Sequence, residues 1–70
     1  MQLGKRVRAI RERKGLSQEA AATAAHLDAK HFQAIESGRA NITFATLFGL
    51  ARAFEMPMTS LVRGIGGTAK

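Results

Sequence analysis

Lys5, Arg6, Arg8, Arg11, Arg13 and Lys14 crowd the start of the chain, and Glu12 alone opposes them there. Over all 70 residues, 11 Lys and Arg face 5 Asp and Glu, a formal charge of +6. Guanidinium and ammonium groups at that density attract a polyanion through charge rather than through bond-making chemistry. Catalysis would need other groupings, and the sequence offers none: no Ser-His-Asp set, no paired carboxylates, and no phosphate-cradling glycine loop. Gly64, Gly66 and Gly67 follow the last apolar segment rather than opening a helix, so they do not resemble a nucleotide loop. With no Cys and only His26 and His31, thiolate metal sites are excluded and a structural zinc site is not expected. The reading is of a non-enzyme without a cofactor.

Charge alone leaves three uses open for the basic segment: a solvated helix face, a helix lying on anionic lipid, or a nucleic-acid surface. The lipid reading fits poorly with the rest of the chain, which reads as an ordered series of capped helices. No apolar run approaches the roughly 20 residues that cross a bilayer, and the N-terminus lacks the continuous apolar stretch of a signal peptide. A soluble, cytoplasmic protein is expected.

The elements that must position these groups follow from periodicity and punctuation. Leu3, Val7 and Ile10 recur at helical spacing from Gln2 to Lys14, and Gly15 stops that helix. Ser17 is an N-cap for a second, alanine-rich helix reaching about Ala25, and Asp28 for a third through about Ser37, which buries Phe32 and Ile35 and is closed by Gly38. Thr43 caps a fourth helix expected to turn Phe44, Leu47, Phe48, Leu50, Ala51 and Phe54 to the core. Gly49 inside it should cost about 1 kcal/mol relative to Ala. Pro57 suits the first turn of a fifth helix with Met58, Leu61 and Val62. The predicted fold is all-α: one five-helix domain over 1–63, then a flexible Gly-rich tail over 64–70. Leu3, Val7, Ile10, Leu16, Phe32, Ile35, Leu47, Leu50 and Leu61 are assigned to the core.

The connection between the second and third helices runs only from Ala25 to Asp28. Two short helices joined so tightly are what a helix-turn-helix requires, with one helix bracing and the next entering the major groove. Alanines at 20, 21, 22, 24 and 25 would let the pair approach closely.

Three segments, LGKRVRAIRERKGLSQEAAA, HLDAKHFQAIESGRANIT and TLFGLARAFEMPMTSLV, together resemble the Cro and phage-repressor (Xre) family of helix-turn-helix proteins over residues 3–62. The combination GLSQE with IESGRANI is the specific part. The chain is similar in layout to the short controller proteins of restriction–modification systems. It departs from the family in having Ala21 where Leu is usual and His26 where the turn usually has Gly.

The resemblance implies a sequence-specific transcription regulator, acting on double-stranded DNA as a homodimer, with RNA polymerase as a further partner. It places Ala29, Lys30, His31, Gln33 and Ala34 on the base-reading face of the recognition helix. Lys can donate to guanine acceptors, Gln can pair with adenine, and Ala can meet a thymine methyl. It assigns Ser17, Gln18, Arg39 and Asn41 to the DNA backbone, with an edge base also open to Gln18, and pairs Arg11 with Glu36 beneath the recognition helix. A domain this small gains from a partner subunit. The surplus apolar residues Phe54, Met56, Met58, Leu61, Val62 and Ile65 are the expected dimer interface. A protein-interaction adaptor or antitoxin on the same fold is the alternative. Its recognition helix would have little need of donors such as Lys30, His31 and Gln33.

Overall fold

The structure is a computed structural model that describes residues 2–62, in which α1 (Gln2–Arg13), α2 (Gln18–Ala24), α3 (Ala29–Glu36), α4 (Phe44–Ala53) and α5 (Met58–Leu61) follow one another. No strand occurs among the described residues, and none of their helices is long and apolar enough to cross a membrane. The proposed tail over 64–70 lies outside them.

Polar caps start three helices. Ser17, Asp28 and Thr43 hold extended backbone and accept from the N–H groups of Ala20, His31 and Thr46 at 3.0, 2.7 and 3.1 Å. Each cap satisfies a helix N–H that has no partner inside the helix. Pro57 precedes α5 without a side-chain bond.

One device ends four helices. At Gly15, His26, Gly38 and Glu55 the backbone turns left-handed, with φ of 72, 59, 79 and 57°. The following N–H then reaches back five residues: Leu16 to Arg11, Leu27 to Ala22, Arg39 to Ala34, and Met56 to Ala51, at 3.1, 2.8, 2.9 and 3.0 Å. This is the Schellman closure, which glycine adopts without penalty and a side chain does not. His26 and Glu55 therefore carry local strain. His tolerates the left-handed region better than Glu does, so Glu55→Gly should raise stability by about 1 kcal/mol and His26→Gly by less. Thermal melts should show the Glu55 variant about 4–8 °C higher; no rise would mean the closure is unstrained.

The core is made of Leu3, Val7, Ile10, Ala21, Ala22, Ala25, Phe32, Ile35, Leu50, Ala51, Phe54 and Leu61, with Leu16 and Leu47 half-buried against it. α3 packs on both α1 and α2, and α4 on α2 and α5. Of the alanines of α2 and its turn, 21, 22 and 25 are buried, whereas 20 and 24 face solvent.

Two groups of residues depart from expectation. Phe44 and Phe48 do not enter the core; they are 74% and 49% exposed. Six apolar positions on α4, counting its C-cap Phe54, span more arc than one buried face can take. Leu47, Leu50, Ala51 and Phe54 share a stripe, and Phe48 falls roughly 110° around the helix from its centre. The Arg52 guanidinium covers its ring at 5.9 Å. Phe54 and Leu61, expected at a dimer interface, are wholly buried within the subunit and offer a partner no surface. Met56 and Met58 are half-buried, Val62 is exposed, and Ile65 lies outside the described residues.

The first and last elements are joined by Arg6, a contact the sequence did not announce. Its guanidinium donates to the carbonyls of Ser60 at 2.8 Å and Leu61 at 3.3 Å. A cation there satisfies two carbonyls at the negative end of α5.

Candidate nucleic-acid interface

α3 presents two faces. Phe32 and Ile35 hold the inner one in the core. On the outer one Lys30, His31 and Gln33 are exposed, with Ala29 and Ala34 half-buried beside them. Asp28, Lys30, His31, Gln33, Ala34 and Arg39 line one open hollow on this side. Lys30 makes no ion pair among the described residues, so its ammonium is available to a ligand. Asp28 caps the helix through its carboxylate, and this fixes the helix start beside His31.

A second groove lies along the α1 side of α3, lined by Arg8, Arg11, Gln18, Gln33, Glu36 and Ser37. Its floor is the Arg11–Glu36 pair. Arg11 Nε donates to Glu36 Oε2 at 2.6 Å and Nη2 to Oε1 at 3.4 Å, while Nη1 donates to the Leu16 carbonyl at 2.8 Å. The side chains are only 13% and 5% exposed. The hydrogen bond to Glu36 raises the Arg11 pKa, with burial opposing it and the charges of Glu36 and Glu12 adding to the rise. Arg11 thus joins α1 to the end of α3 and to the loop before α2.

Gln18 sits on that pair. Its Nε2 donates to Glu36 Oε1 at 2.9 Å, and its Oε1 accepts from Gln33 Nε2 at 3.2 Å. Ser17, one residue earlier, is exposed and uses its oxygen as the α2 cap. Arg39 is exposed but tethered: its Nε donates to Ser37 Oγ at 2.9 Å, and that hydroxyl donates to the Ala34 carbonyl at 3.1 Å. Asn41 is exposed in the loop before α4.

The basic N-terminal cluster is divided rather than continuous. Arg6 is committed to α5 and Arg11 to Glu36. Arg8 pairs with Glu12 at 3.2 Å while remaining 64% exposed. The sequence placed Arg8 in the basic cluster without a site role, and assigned Ser37 none either, yet both line this groove. The spacing of Arg8 from Arg11, three residues and one helix face, is the signal that would have found it. Lys5, Arg13 and Lys14 are exposed.

Comparison with known proteins agrees with this layout. The helix-turn-helix domain family matches residues 2–62. Among solved structures, the restriction-modification controller protein C.AhdI from Aeromonas hydrophila matches with a TM-score of 0.82 and 34% identity, covering 84% of this chain and 89% of that one. A comparison with curated proteins gives no match. With the family matched across all five helices and the likeness to a solved controller protein, the chain belongs to the helix-turn-helix family of DNA-binding regulators, in its Cro and phage-repressor (Xre) branch.

Proposed function

We propose that this protein is a sequence-specific transcription regulator that binds an inverted-repeat operator as a homodimer, with α3 in the major groove. The observation that carries this reading is the outer face of α3, where Lys30, His31 and Gln33 stand exposed between two hollows while the opposite face is locked in the core. Donors and acceptors on a rigid, exposed helix suit the base edges of the groove. The likeness to a restriction-modification controller protein supports the regulatory role. The dimer is assigned to α5 and the end of α4, with Met56, Met58 and Val62 at the surface and Phe54 and Leu61 supporting them from beneath. Two recognition helices about 34 Å apart would then read two half-sites one helical turn apart.

Backbone contacts are electrostatic and nearly blind to sequence, whereas base contacts discriminate. Ser17, Gln18, Arg39 and Asn41 belong to the first class in this proposal, and Lys30, His31 and the neighbouring α3 residues to the second. Arg39→Ala should weaken binding to operator and random duplex by similar factors and flatten the salt slope by about one unit per subunit. Lys30→Ala should cost about 1–3 kcal/mol on the operator and relax the preference at one base pair per half-site, a guanine being the natural partner of its ammonium. The measurement is selection of bound sequences from random duplexes, then titration of both variants across a salt series. Selected sites without two-fold symmetry would remove the dimer. Equal weakening of both DNAs by Lys30→Ala would make Lys30 a backbone contact.

The second reading is a protein-interaction adaptor, and the exposed pair Phe44 and Phe48 is the observation that favours it. It takes precedence if neither α3 variant changes DNA binding while Phe48→Ala abolishes a protein partner.

A further inference from the structure

Hydrogen-bond direction is fixed along the line from the core to the outer face of α3. Glu36 is held by the Arg11 guanidinium, and a carboxylate accepts without donating. The Gln18 amide next to it must therefore turn its NH2 inward, as it does at 2.9 Å, which leaves its oxygen facing Gln33. Gln33 must in turn offer its own NH2 to that oxygen, as it does at 3.2 Å. Amide orientation is ambiguous when its neighbours can both donate and accept. Here a charged acceptor at the inner end removes the ambiguity at both glutamines. Among the described residues nothing donates to Gln33 Oε1, so Gln33 shows outward a free acceptor together with its second N–H.

We infer that the Glu36–Gln18–Gln33 relay makes Gln33 a polarity-fixed reader, selecting a base that presents an amino donor in the major groove and rejecting guanine at the position it faces. Adenine presents an N6 amino donor beside the N7 acceptor in the major groove, the complement of the outward edge of Gln33. Cytosine supplies only the amino donor. Guanine presents two acceptors, O6 and N7. The second Gln33 N–H can donate to one of them, but Oε1 then faces the other acceptor; a bidentate pair would need both N–H groups outward, which turns the Gln33 oxygen against the Gln18 oxygen and breaks the relay. Gln18, beside the backbone contact proposed for it above, is then a positioning residue for specificity, acting through Gln33 by way of its own amide. This inference rests on α3 being the DNA-reading helix and adds the identity of the base class and the residue that sets it.

The experiment compares wild type, Gln33→Ala and Gln18→Met by selection from random duplexes, followed by titration of single-base-pair variants of the selected site. Gln18→Met keeps the side-chain length and the Arg11–Glu36 pair while removing both relay bonds. Wild type should favour adenine over guanine at one position per half-site by roughly 5- to 100-fold. Gln33→Ala should abolish that preference. Gln18→Met should shrink it to within about threefold, leaving preferences at all other positions intact. Loss of a backbone contact, or a purely structural role for Gln18, would lower affinity for every site together and would not single out one position. Guanine at the Gln33 position, or an unchanged preference in Gln18→Met, overturns the relay while leaving DNA recognition by α3 standing. Absence of any duplex binding by the wild-type protein overturns the DNA-binding reading itself, and the relay with it.

Discussion

Glu36→Ala should destabilise the domain by about 3 kcal/mol, and the cause is what the substitution leaves behind. Arg11 is only 13% exposed at its side chain and makes two of its bonds to Glu36. Without the carboxylate its charge stays in a largely buried site, left with the Leu16 carbonyl and the Glu12 carboxylate 3.9 Å away, and Gln18 loses its inner acceptor. Such a pair contributes little compared with a well-packed apolar isostere, yet breaking it from one side is costly, because desolvation of the survivor is no longer compensated. Arg11→Ala with Glu36→Ala should therefore recover part of the loss. Urea unfolding of the four proteins in a double-mutant cycle measures the coupling; additive losses would show that the two side chains do not interact.

The pair's dependence on pH has a definite sign on the Arg11 side. Its folded-state pKa is raised, so the stability it contributes is fully present below the ordinary guanidinium range and is lost only as pH rises through the folded value. Across neutral pH this contribution is flat, and burial shields it from salt far more than the exposed Arg8–Glu12 pair.

Gly4→Ala should cost about 3 kcal/mol, against the sign that helix propensity suggests. In an exposed helix interior the exchange would stabilise by about 1 kcal/mol. Gly4, however, lies in the first turn of α1, where the end of α3 presses on it. A Cβ there would collide with the Ile35 carbonyl oxygen and sit 2.6 Å from that of Glu36 and 3.0 Å from the Glu36 carbonyl carbon. All three obstacles are backbone, so no side-chain rotation relieves them and α1 must move off α3. That movement opens the packing of Leu3 and Val7 and misaligns Arg11 with Glu36, which raises the usual overpacking cost of about 1–3 kcal/mol to its upper end. Equilibrium unfolding decides between sterics and propensity. A Gly4→Ala protein as stable as wild type would mean that α1 does not rest on those carbonyls.

Much of the fold is legible because its signals are local. Ser17, Asp28 and Thr43 announce their helices through short side-chain oxygens that only their own first turns can use. Gly15 and Gly38 mark the stops through a backbone angle. His26 and Glu55 make the same stop without glycine. At His26 the family pattern pointed to the turn, and at Glu55 no residue-level signal marked it. Periodicity overreached on α4, where six apolar positions name a buried face wider than the neighbouring helices cover, so Phe44 and Phe48 were misplaced. Arg11 and Glu36 stand 25 residues apart, and in the sequence only the resemblance joins them. Gly4, Arg6 and the Gln18–Gln33 bond lay beyond reach for one reason: each depends on which atoms of a distant element arrive nearby.

Arg6 bears on the order in which the chain acquires its shape. α5 has four residues, too few to be helical alone in water, where nucleation is unfavourable and isolated helices shorter than about 12–15 residues are marginal. Its order is borrowed from the rest of the domain, in part through a guanidinium 54 and 55 residues earlier. Closing a loop of that length carries an entropy cost of about 3–4 kcal/mol beyond the constant term, whereas α2 and α3 meet across a turn of a few residues. The helix-turn-helix unit can therefore assemble early from short-range contacts, with α5 docking late as a dependent passenger. A dimer built on α5 would inherit that dependence: the surface for a second subunit would exist only in chains whose first and last helices have already met.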